Sequence, residues 1–139
     1  GPTGLGKTHL STSVAVVVIE RGFDVLYRTA QEIMSVFEKQ RFGSGTQGDG
    51  TESAFYDSDL LIIDDLGAEP KGEFAAAAFT DIVDSRLLAK KNTIISTNLT
   101  ASELVRGYSQ RFASRVLSCY TLLTFIGRDV RMLKMTGEK

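Results

Sequence analysis

The chain begins with the stretch Gly1-Pro2-Thr3-Gly4-Leu5-Gly6-Lys7-Thr8-His9, whose first eight residues match the phosphate-binding pattern G-x-x-x-x-G-K-[ST]. Gly4 and Gly6 allow the backbone to curl, so that successive N–H groups point at the phosphates of a nucleotide. The amine of Lys7 can then reach the β and γ oxygens, and the hydroxyl of Thr8 can bind Mg²⁺. The stretch therefore predicts a nucleotide-binding loop that opens a helix. We expect the side chain of His9 to pack against the protein rather than to catalyse.

The composition is that of a globular protein. Of the 139 residues, 42% are hydrophobic and 24% are charged, and no apolar stretch has the length of a membrane span. The single Cys119 and the single His9 exclude an internal disulfide framework and a Cys/His zinc site in this segment. We therefore expect a reducing, cytoplasmic setting and a buried Cys119.

The position of the phosphate-binding pattern bears on the domain organisation. A phosphate loop normally follows a buried strand, whereas the sequence begins at the loop itself. We therefore interpret residues 1–139 as one core domain cut from a longer protein, without the upstream strand and a partner-binding region.

The charges are distributed unevenly along the chain. Acidic residues predominate over residues 1–85 and basic residues over residues 86–139, although the net charge is only −1. The two halves of a sequence need not be two halves of a surface, so a mixed surface is one interpretation. The other is a basic face that meets anions, either nucleic acid or a neighbouring subunit's nucleotide.

The hydrophobic pattern predicts helices and strands in alternation. We expect helices over residues 8–20, 30–41, 72–91, 101–106 and 108–117, and strands over 23–29, 59–65, 92–98 and 120–126. Thr29 is expected to cap the second helix in a capping box with Glu32, and the Gly-rich stretch 42–53 is expected to be a loop. Strands separated by helices indicate an α/β fold, with a parallel sheet flanked by helices on both faces.

Apolar residues at helical spacing predict the buried faces of the helices. On the first helix they are Leu10, Val14, Val17 and Val18; on the long helix they are Phe74, Ala77, Ala78, Ile82, Val83, Leu87 and Leu88. The runs 59–65 and 92–98 are apolar enough to be buried strands of a parallel sheet. Because ligands bind beyond the carboxyl ends of such strands, the polar residues there are candidate site residues.

Asp64 and Asp65 end the apolar run 59–65. Together with a phosphate loop, such a pair is typical of nucleotide hydrolysis. Asp64 is placed to hold Mg²⁺ beside Thr8, and Asp65 is placed to orient and deprotonate the attacking water. Glu is usual in the second role, and Asp is one methylene shorter. Asn98, at the end of the next strand, is placed to help position the water. The alternative is that these residues only cap strands and turns.

Arg111 and Arg115 lie four residues apart on one face of the predicted helix 108–117, with no acidic residue near them in sequence. Two cations in this arrangement repel one another mildly, which favours an anion that binds to both. An arginine that acts on a neighbouring subunit's phosphate is one explanation, and a solvated face is the other. Arg131, after the last predicted strand, is a second candidate for contact with the γ-phosphate.

Two motifs bear on which ligand is bound. The sequence Asp64-Asp65-Leu66-Gly67 also matches the D-x-x-G pattern of GTPases, but no Asn/Thr-Lys-x-Asp motif for guanine follows, so ATP is the better prediction. The aromatic residues Tyr108, Phe112 and Tyr120 could stack on nucleic-acid bases. Packing in the core is the favoured interpretation of these three residues.

The chain resembles the DnaC/IstB-like branch of AAA+ ATPases, which comprises bacterial replicative-helicase loaders and transposition helper ATPases. The resemblance is carried by five blocks in order and at matching spacing: GPTGLGKTHL, LLIIDDLGAE, TIISTNLTASEL, YSQRFASRVLS and GRDVR. It implies a P-loop AAA+ core over nearly the whole chain. The initiator branch related to DnaA shares the GKTHL block.

The resemblance also implies roles for individual residues. Lys7 and Thr8 would bind the nucleotide and Mg²⁺, and Asp64 with Asp65 would form the acidic pair. The remaining roles are Asn98 as the first sensor, Arg115 as the arginine finger and Arg131 as the second sensor. Asp-Asp in place of the commoner Asp-Glu pair is familiar in this branch.

The function implied by the resemblance is that of an ATPase that uses ATP and Mg²⁺ and is weak unless assembled. Proteins of this branch typically assemble head to tail, bind single-stranded DNA and open or escort the ring-shaped replicative helicase. We therefore predict a nucleotide switch in DNA replication, with a transposition helper that acts with a transposase as the nearest alternative. An ATP-binding module without hydrolysis and a small-molecule kinase are alternatives from other classes.

Overall fold

The computed structural model describes residues 6–41 and 51–124. Within them the elements are, in order, α1 (Lys7–Glu20), β1 (Val25–Thr29), α2 (Ala30–Arg41), α3 (Thr51–Asp57), β2 (Leu60–Leu66), α4 (Glu73–Leu88), β3 (Asn92–Thr97), α5 (Ala101–Gly107) and α6 (Gln110–Cys119). The predicted site residues that lie outside the described part are Gly1, Pro2, Thr3, Gly4, Leu5 and Arg131. The stretch 42–50 and the block GRDVR also lie outside it.

The three described strands form a parallel sheet in the order β1-β2-β3. Four consecutive residues of the central strand β2, 60–63, are buried, as expected of a strand covered on both faces. Strand β3 is only partly buried, which corrects the expectation of a fully buried strand over residues 92–98. The reason is its place in the sheet, because among the described strands only β2 has a neighbour on each side.

Side chains of β2 alternate between two hydrophobic clusters, which places helices on both faces of the sheet. Leu60 and Ile62 pack with Ala15 of α1, while Leu61 and Ile63 pack with residues of α2 to α6. The larger cluster contains the fully enclosed rings of Phe55, Phe79 and Phe112. Burying each of these side chains contributes about 1.5–3 kcal/mol. The α/β fold with a parallel sheet flanked by helices is therefore confirmed.

Helix α1 buries a narrower face than the sequence predicted. Ser11 and Ala15 are buried and Val14 and Val18 are half-buried, whereas Leu10 and Val17 are exposed. The small side chains at positions 11 and 15 bring the helix backbone close to the sheet. Val14 and Val18 pack at the edge of this stripe, and Leu10 and Val17, farther around the helix, do not reach the sheet.

Helix α4 also buries a face that differs from the prediction. Phe79 is fully buried, while Ala77 is exposed and Leu88 is 87% exposed. The buried positions recur every three or four residues, as one face of a helix requires, and are Ala75, Ala76, Ala78, Phe79, Ile82, Val83 and Arg86. Phe79 and Ile82 therefore belong to the core, and Leu88 lies in the last turn on the solvent side.

Helix α3 was not predicted, since residues 51–53 were assigned to the Gly-rich loop and residues 54–57 to no element. Its Phe55 lies in the large cluster and contacts Phe37 with ring centroids 5.8 Å apart. Helices this short are marginal on their own, so tertiary packing of Phe55 stabilises the helix. This contribution was not visible in the local sequence pattern.

The guanidinium of Arg86, on α4, is fully buried and ties α3 to β3. Its acceptors are all neutral oxygens, and they belong to Phe55, Tyr56, Ser58, Asn92 and Thr93 at 2.7–3.3 Å. Burial lowers the pKa of Arg86, while the surrounding oxygens satisfy its N–H groups. Arg86 thus connects the end of α3 with the first residues of β3.

The segment after α6 differs from the prediction. Residues 121–124 are not in a strand, and Leu122 and Leu123 are exposed; residues 125–126 of the predicted strand lie outside the described part. Cys119 is exposed rather than buried, because it is the last residue of α6 and lies beyond the buried residues Phe112 and Val116 toward the end of the helix. No helix in the described ranges is long and apolar enough to cross a membrane.

Candidate functional site

The amino end of α1 lies at the carboxyl ends of β2 and β3. Gly6 precedes the helix with a φ of 88°, and, among the described residues outside its own turn of chain, no atom lies within 4 Å of the position of a Cβ there. A left-handed conformation favours glycine, which explains the last glycine of the motif. The helix that follows directs its first N–H groups and the positive end of its dipole toward its own amino end, beside the ends of β2 and β3.

The side chain of Lys7 reaches Asn98 at the end of β3. Its Nζ donates a hydrogen bond to Asn98 Oδ1 at 2.8 Å. Burial lowers the pKa of Lys7, and the nearby carboxylates of Asp65 and Asp64 oppose this shift. The structure thus brings together the lysine of the phosphate loop and the residue predicted to be the first sensor.

The carboxylate of Asp64 accepts hydrogen bonds from three hydroxyls on three elements. Thr8 Oγ1 lies 3.2 Å from Oδ1 and 3.1 Å from Oδ2. Tyr27 donates to Oδ2 at 2.9 Å, and Ser96 donates to Oδ1. Asp64 itself is 9% exposed, so these hydroxyls satisfy a carboxylate that has little contact with water. The predicted pair Thr8 and Asp64 therefore lies in one site.

Asp65 is exposed and has a left-handed backbone, with a φ of 59°. Its N–H donates to Ser96 Oγ at 3.0 Å, at a point where the pairing of β2 with β3 shifts between Ile63 and Leu66. A left-handed conformation costs a non-glycine residue roughly 1–2 kcal/mol. The irregularity interrupts the alternation of β2 at Asp65, and the Asp65 carboxylate lies near enough to Lys7 to oppose the lowering of its pKa by burial.

Tyr27 and Ser96 are site residues that the sequence reasoning missed. Tyr27 pairs with Ile62 in the sheet, and Thr29, two residues later, pairs with Asp64. Tyr27 packs in the cluster that faces α1, which is the face on which Asp64 follows Leu60 and Ile62. The sequence did contain a signal for these two residues, because polar residues occur at alternate positions of β1 and β3, the strands on either side of β2. Burial and the bond to Asp64 raise the pKa of the Tyr27 hydroxyl, which keeps it a donor.

Glu69 is a third residue that the sequence reasoning missed, and it holds the loop that follows Asp64 and Asp65. Its carboxylate is 3% exposed and accepts from the N–H of Gly67 at 3.1–3.2 Å and from the hydroxyl of Tyr108. Gly67 has a φ of 109°, and a Cβ there would lie 2.9 Å from the side chain of Leu99. The loop is therefore fixed against both the residue that follows β3 by two positions, Leu99, and the C-cap residue of α5, Tyr108.

Arg111 and Arg115 lie on one face of α6, and both contact Asp84 of α4. Arg111 Nη2 lies 2.7 Å from Asp84 Oδ2, and Arg115 Nε lies 3.0 Å from Asp84 Oδ1. Although no acid lies near this pair in sequence, Asp84 lies near it in space, so the expectation drawn from two cations without a nearby acid is wrong. Asp84 belongs to the neighbouring helix α4. The spacing of residues along α6 cannot reveal a contact with another helix.

The remaining predictions concern packing. His9 is exposed, so the expectation that it packs against the protein is wrong. Tyr108 and Phe112 pack in the core as predicted, with ring centroids 5.0 Å apart, and Tyr108 meets Phe79 edge to face at 6.1 Å. Tyr120 packs against the same cluster. Within the described residues these three aromatic side chains therefore serve the core.

The oxygen atoms at this site fit Mg²⁺ in type. No group of three or more His, Cys, Asp or Glu side chains in residues 6–41 and 51–124 could hold a metal on protein ligands alone. Mg²⁺ in nucleotide sites uses one or two protein oxygens and completes its shell with water and phosphate. The hydroxyl of Thr8 and the carboxylate of Asp64, which already converge, are such ligands.

Comparison with known proteins identifies a matching family and similar individual proteins. The family described as IstB-like ATP binding protein matches residues 1–134. The replicative helicase loader DnaC of Escherichia coli strain K12 is 27% identical over 139 residues, which are 100% of this chain and 57% of that protein. The putative ATP-binding protein of insertion sequence IS232, from Bacillus thuringiensis subsp. berliner, is 24% identical over 137 residues, which are 95% of this chain and 54% of that protein.

Solved structures share the fold. A crystal structure of the DnaC helicase loader aligns with a TM-score of 0.76 at 22% identity, covering 91% of this chain and 75% of that one. AMPPCP-bound DnaA from Aquifex aeolicus aligns with a TM-score of 0.76 at 24% identity, covering 100% of this chain and 45% of that one. The chain spans just over half the length of the two curated relatives. The family match, the relatives and the fold together show that the chain belongs to the IstB-like ATP-binding proteins, within the DnaC/IstB-like branch of AAA+ ATPases.

Proposed function

We propose that this chain is a Mg-ATP-dependent ATPase that acts as a nucleotide switch in DNA replication and loads or escorts the replicative helicase on single-stranded DNA. The observation that carries the proposal is the convergence of Lys7 and Thr8, from the start of α1, on Asn98 and Asp64 at the strand ends. Membership of the family and the similarity to DnaC loaders support it.

The phosphates would be bound by the backbone of residues 1–6, the helix amino end and Lys7. The amine of Lys7 has three N–H donors, so it can keep its bond to Asn98 while it binds a phosphate oxygen. Asn98 would thereby orient Lys7 as well as contact the γ-phosphate. His9 is exposed beside the loop and completes the proposed nucleotide-binding stretch.

Thr8 and Asp64 would hold the metal, since their oxygen atoms already face one another. When bound, Mg²⁺ neutralises charge on the phosphates and orients them. The protein's part is to present a hydroxyl and a carboxylate in a fixed arrangement. The position of Thr8 Oγ1, 3.1–3.2 Å from both carboxylate oxygens, supports this role.

Asp65 would orient and deprotonate the attacking water, with Asn98 helping to position it. The exposed position of Asp65 beside Lys7 supports this role. The turned backbone of Asp65 is a local geometry that can compensate for a side chain one methylene shorter than Glu. Arg115 would act as the finger on a neighbouring subunit, and Arg131 would contact the γ-phosphate as the second sensor.

The proposed partners are the replicative helicase, single-stranded DNA and further copies of the chain in a head-to-tail assembly in the cytoplasm. Arg111 and Arg115 are 68% and 49% exposed, which supports contact with an anion on another molecule. The second candidate function is a transposition helper that acts with a transposase. The IstB-like family match and the relative from insertion sequence IS232 favour it.

Calorimetric titration of Lys7→Ala with Mg-ATP tests nucleotide binding. We expect the variant to lose binding, because the phosphates lose their cationic contact, and we expect Lys39→Ala, at an exposed position of α2, to bind normally. Near-normal binding by Lys7→Ala would contradict the proposal. Loss of binding by both variants would point to a general effect on folding.

Hydrolysis is tested separately from binding. Asp65→Ala should bind Mg-ATP and lose turnover, because the water is no longer activated. Steady-state turnover that stays at background in the wild type, and is therefore the same in Asp65→Ala, would instead favour an ATP-binding module without hydrolysis. Transfer of the γ-phosphoryl group to a metabolite rather than to water would favour a small-molecule kinase.

The choice between the two DNA-related functions depends on the partner. An ATP-dependent pull-down with the full-length protein from cell extract should recover the replicative helicase. Recovery of a transposase in its place would favour the transposition helper. Recovery that does not depend on ATP would contradict a nucleotide switch in either case.

A further inference from the structure

We propose that Tyr27 and Ser96 are positioning residues that orient the Asp64 carboxylate for Mg²⁺ beside Thr8. The inference rests on the proposed function, in which Thr8 and Asp64 hold the metal. The observation behind it is that β1 and β3, the two neighbours of β2, each supply a hydroxyl to this one carboxylate. Asp64 is thereby held from both sides of its own strand.

The two hydroxyls are divided between the two carboxylate oxygens. Tyr27 donates to Oδ2 at 2.9 Å, and Ser96 donates to Oδ1. Each carboxylate oxygen has two lone pairs, so Tyr27 and Ser96 leave one on each oxygen. The Thr8 hydroxyl donates to these, at 3.1 Å from one oxygen and 3.2 Å from the other. The remaining lone pairs therefore face Thr8, on the side where a shared cation would take the place of the hydroxyl hydrogen.

Hydroxyl groups are suitable donors for orienting the carboxylate of Asp64. A hydroxyl fixes the orientation of a carboxylate without neutralising its charge, whereas Lys or Arg in the same place would compete with the cation. Loss of a group that hydrogen-bonds to a metal ligand in this way typically lowers the metal affinity about 10–100-fold. Tyr27 and Ser96 thus hold Asp64 while its negative charge stays available to Mg²⁺.

Ser96 has a second function in this arrangement. Its Oγ accepts the N–H of Asp65 at 3.0 Å while its hydroxyl hydrogen is donated to Asp64. The left-handed backbone of Asp65, with a φ of 59°, is thereby fixed by the same side chain that fixes Asp64. Ser96 is 6% exposed and lies two residues before Asn98, so it joins the acidic pair to the strand that ends at the sensor.

The test measures metal binding rather than turnover. The full chain, with a fluorescent ATP analogue, is titrated with Mg²⁺, and binding of the analogue is also measured in EDTA. For Tyr27→Phe and Ser96→Ala we expect the Mg²⁺ concentration at half-saturation to rise about 10-fold or more. Binding of the analogue in EDTA should be unchanged, because Lys7 and the phosphate loop are untouched.

Two control variants separate positioning from a general structural effect. Ser96→Thr keeps the hydroxyl and should return most of the Mg²⁺ affinity. Tyr56→Phe makes the same chemical change elsewhere, since the Tyr56 hydroxyl donates to Asp81 at 2.7 Å between α3 and α4, and it should behave like the wild type. Tyr27→Phe keeps the packed ring, so it is decisive if Ser96→Ala fails to fold.

The possible results distinguish this inference from the proposed function. Wild-type Mg²⁺ half-saturation in folded Tyr27→Phe would overturn the role of Tyr27, and the same result in Ser96→Ala would overturn that of Ser96. An equal rise in Tyr56→Phe would also overturn the inference, because the effect would then be general. Absence of Mg²⁺-dependent binding in the wild type would contradict the proposed function itself.

Discussion

Arg115 and Asp84, on the adjacent helices α6 and α4, are joined by a hydrogen bond of 3.0 Å between Nε and Oδ1. The other oxygen of Asp84 lies 2.7 Å from Arg111 Nη2, so one carboxylate holds two arginines that would otherwise repel. Asp84 is 22% exposed, while both arginine side chains are about half exposed or more. The guanidinium groups are thus held in place within the subunit and are still accessible from outside it.

Arg115→Ala should bind Mg-ATP normally and lose assembly-dependent turnover, because the proposed finger acts on a neighbouring subunit. Mixing Arg115→Ala with Asp65→Ala should restore part of the activity, since one variant contributes an intact site and the other an intact finger. Steady-state ATPase rates of each variant and of the mixture measure this. Arg106→Ala, at an exposed position of α5, serves as the control. A mixture as inactive as its components would argue against action in trans.

Arg86→Met should lower the free energy of unfolding by about 3 kcal/mol or more, measured by urea denaturation. The methionine can fill the space, but buried acceptors including the carbonyls of Phe55 and Asn92 lose their donor. Each buried acceptor left unpaired costs about 1–3 kcal/mol. Arg106→Met on exposed α5 should change the free energy by about 0.5 kcal/mol or less. Equal effects of the two variants would show that the buried network contributes little.

Gly67→Ala should destabilise the protein more than Gly22→Ala does. Both glycines have positive φ, 109° and 89°, so each substitution costs roughly 1–2 kcal/mol in backbone strain. Only at position 67 does the new Cβ meet a side chain, that of Leu99 at 2.9 Å. The contact should add about 1–3 kcal/mol. Thermal unfolding compares the stabilities of the two variants directly. Equal losses of stability would mean that the side chain of Leu99 moves away without an energetic cost.

The four tyrosines should ionise only when the protein unfolds at high pH. Burial raises the pKa of all of them above the ordinary value of 10.0: Tyr27, Tyr56, Tyr108 and Tyr120. The unfolded chain therefore loses tyrosine protons at a lower pH than the folded chain, so the tyrosines' contribution to stability is constant below about pH 10 and falls above it. Tyrosinate absorbance during a pH titration, followed together with circular dichroism, measures this. Early ionisation with intact structure would contradict it.

Those parts of the fold that local patterns specify were predicted from the sequence. The cap at Thr29, whose Oγ1 accepts the N–H of Glu32 at 3.1 Å, is confirmed, although the Glu32 carboxylate accepts from the Thr29 hydroxyl, at 3.2 Å, and not from the Thr29 backbone N–H as in a capping box. The run that becomes β2 was visible as a continuous apolar stretch. The short α3 was not visible, since the burial of Phe55 depends on residues far away in the chain. Long-range contacts override weak local preferences in this way.

For the site, the sequence by itself determined the residues with fixed spacing in the phosphate loop and at the strand ends. Lys7, Thr8, Asp64 and Asn98 could be placed together because parallel strands bring their carboxyl ends to one edge of the sheet. Only the tertiary structure decided what supports them. The hydroxyls of Tyr27 and Ser96 meet Asp64, and the carboxylate of Asp84 meets Arg115, through contacts between elements. Such contacts depend on strand register and helix packing, which leave no fixed spacing in the chain.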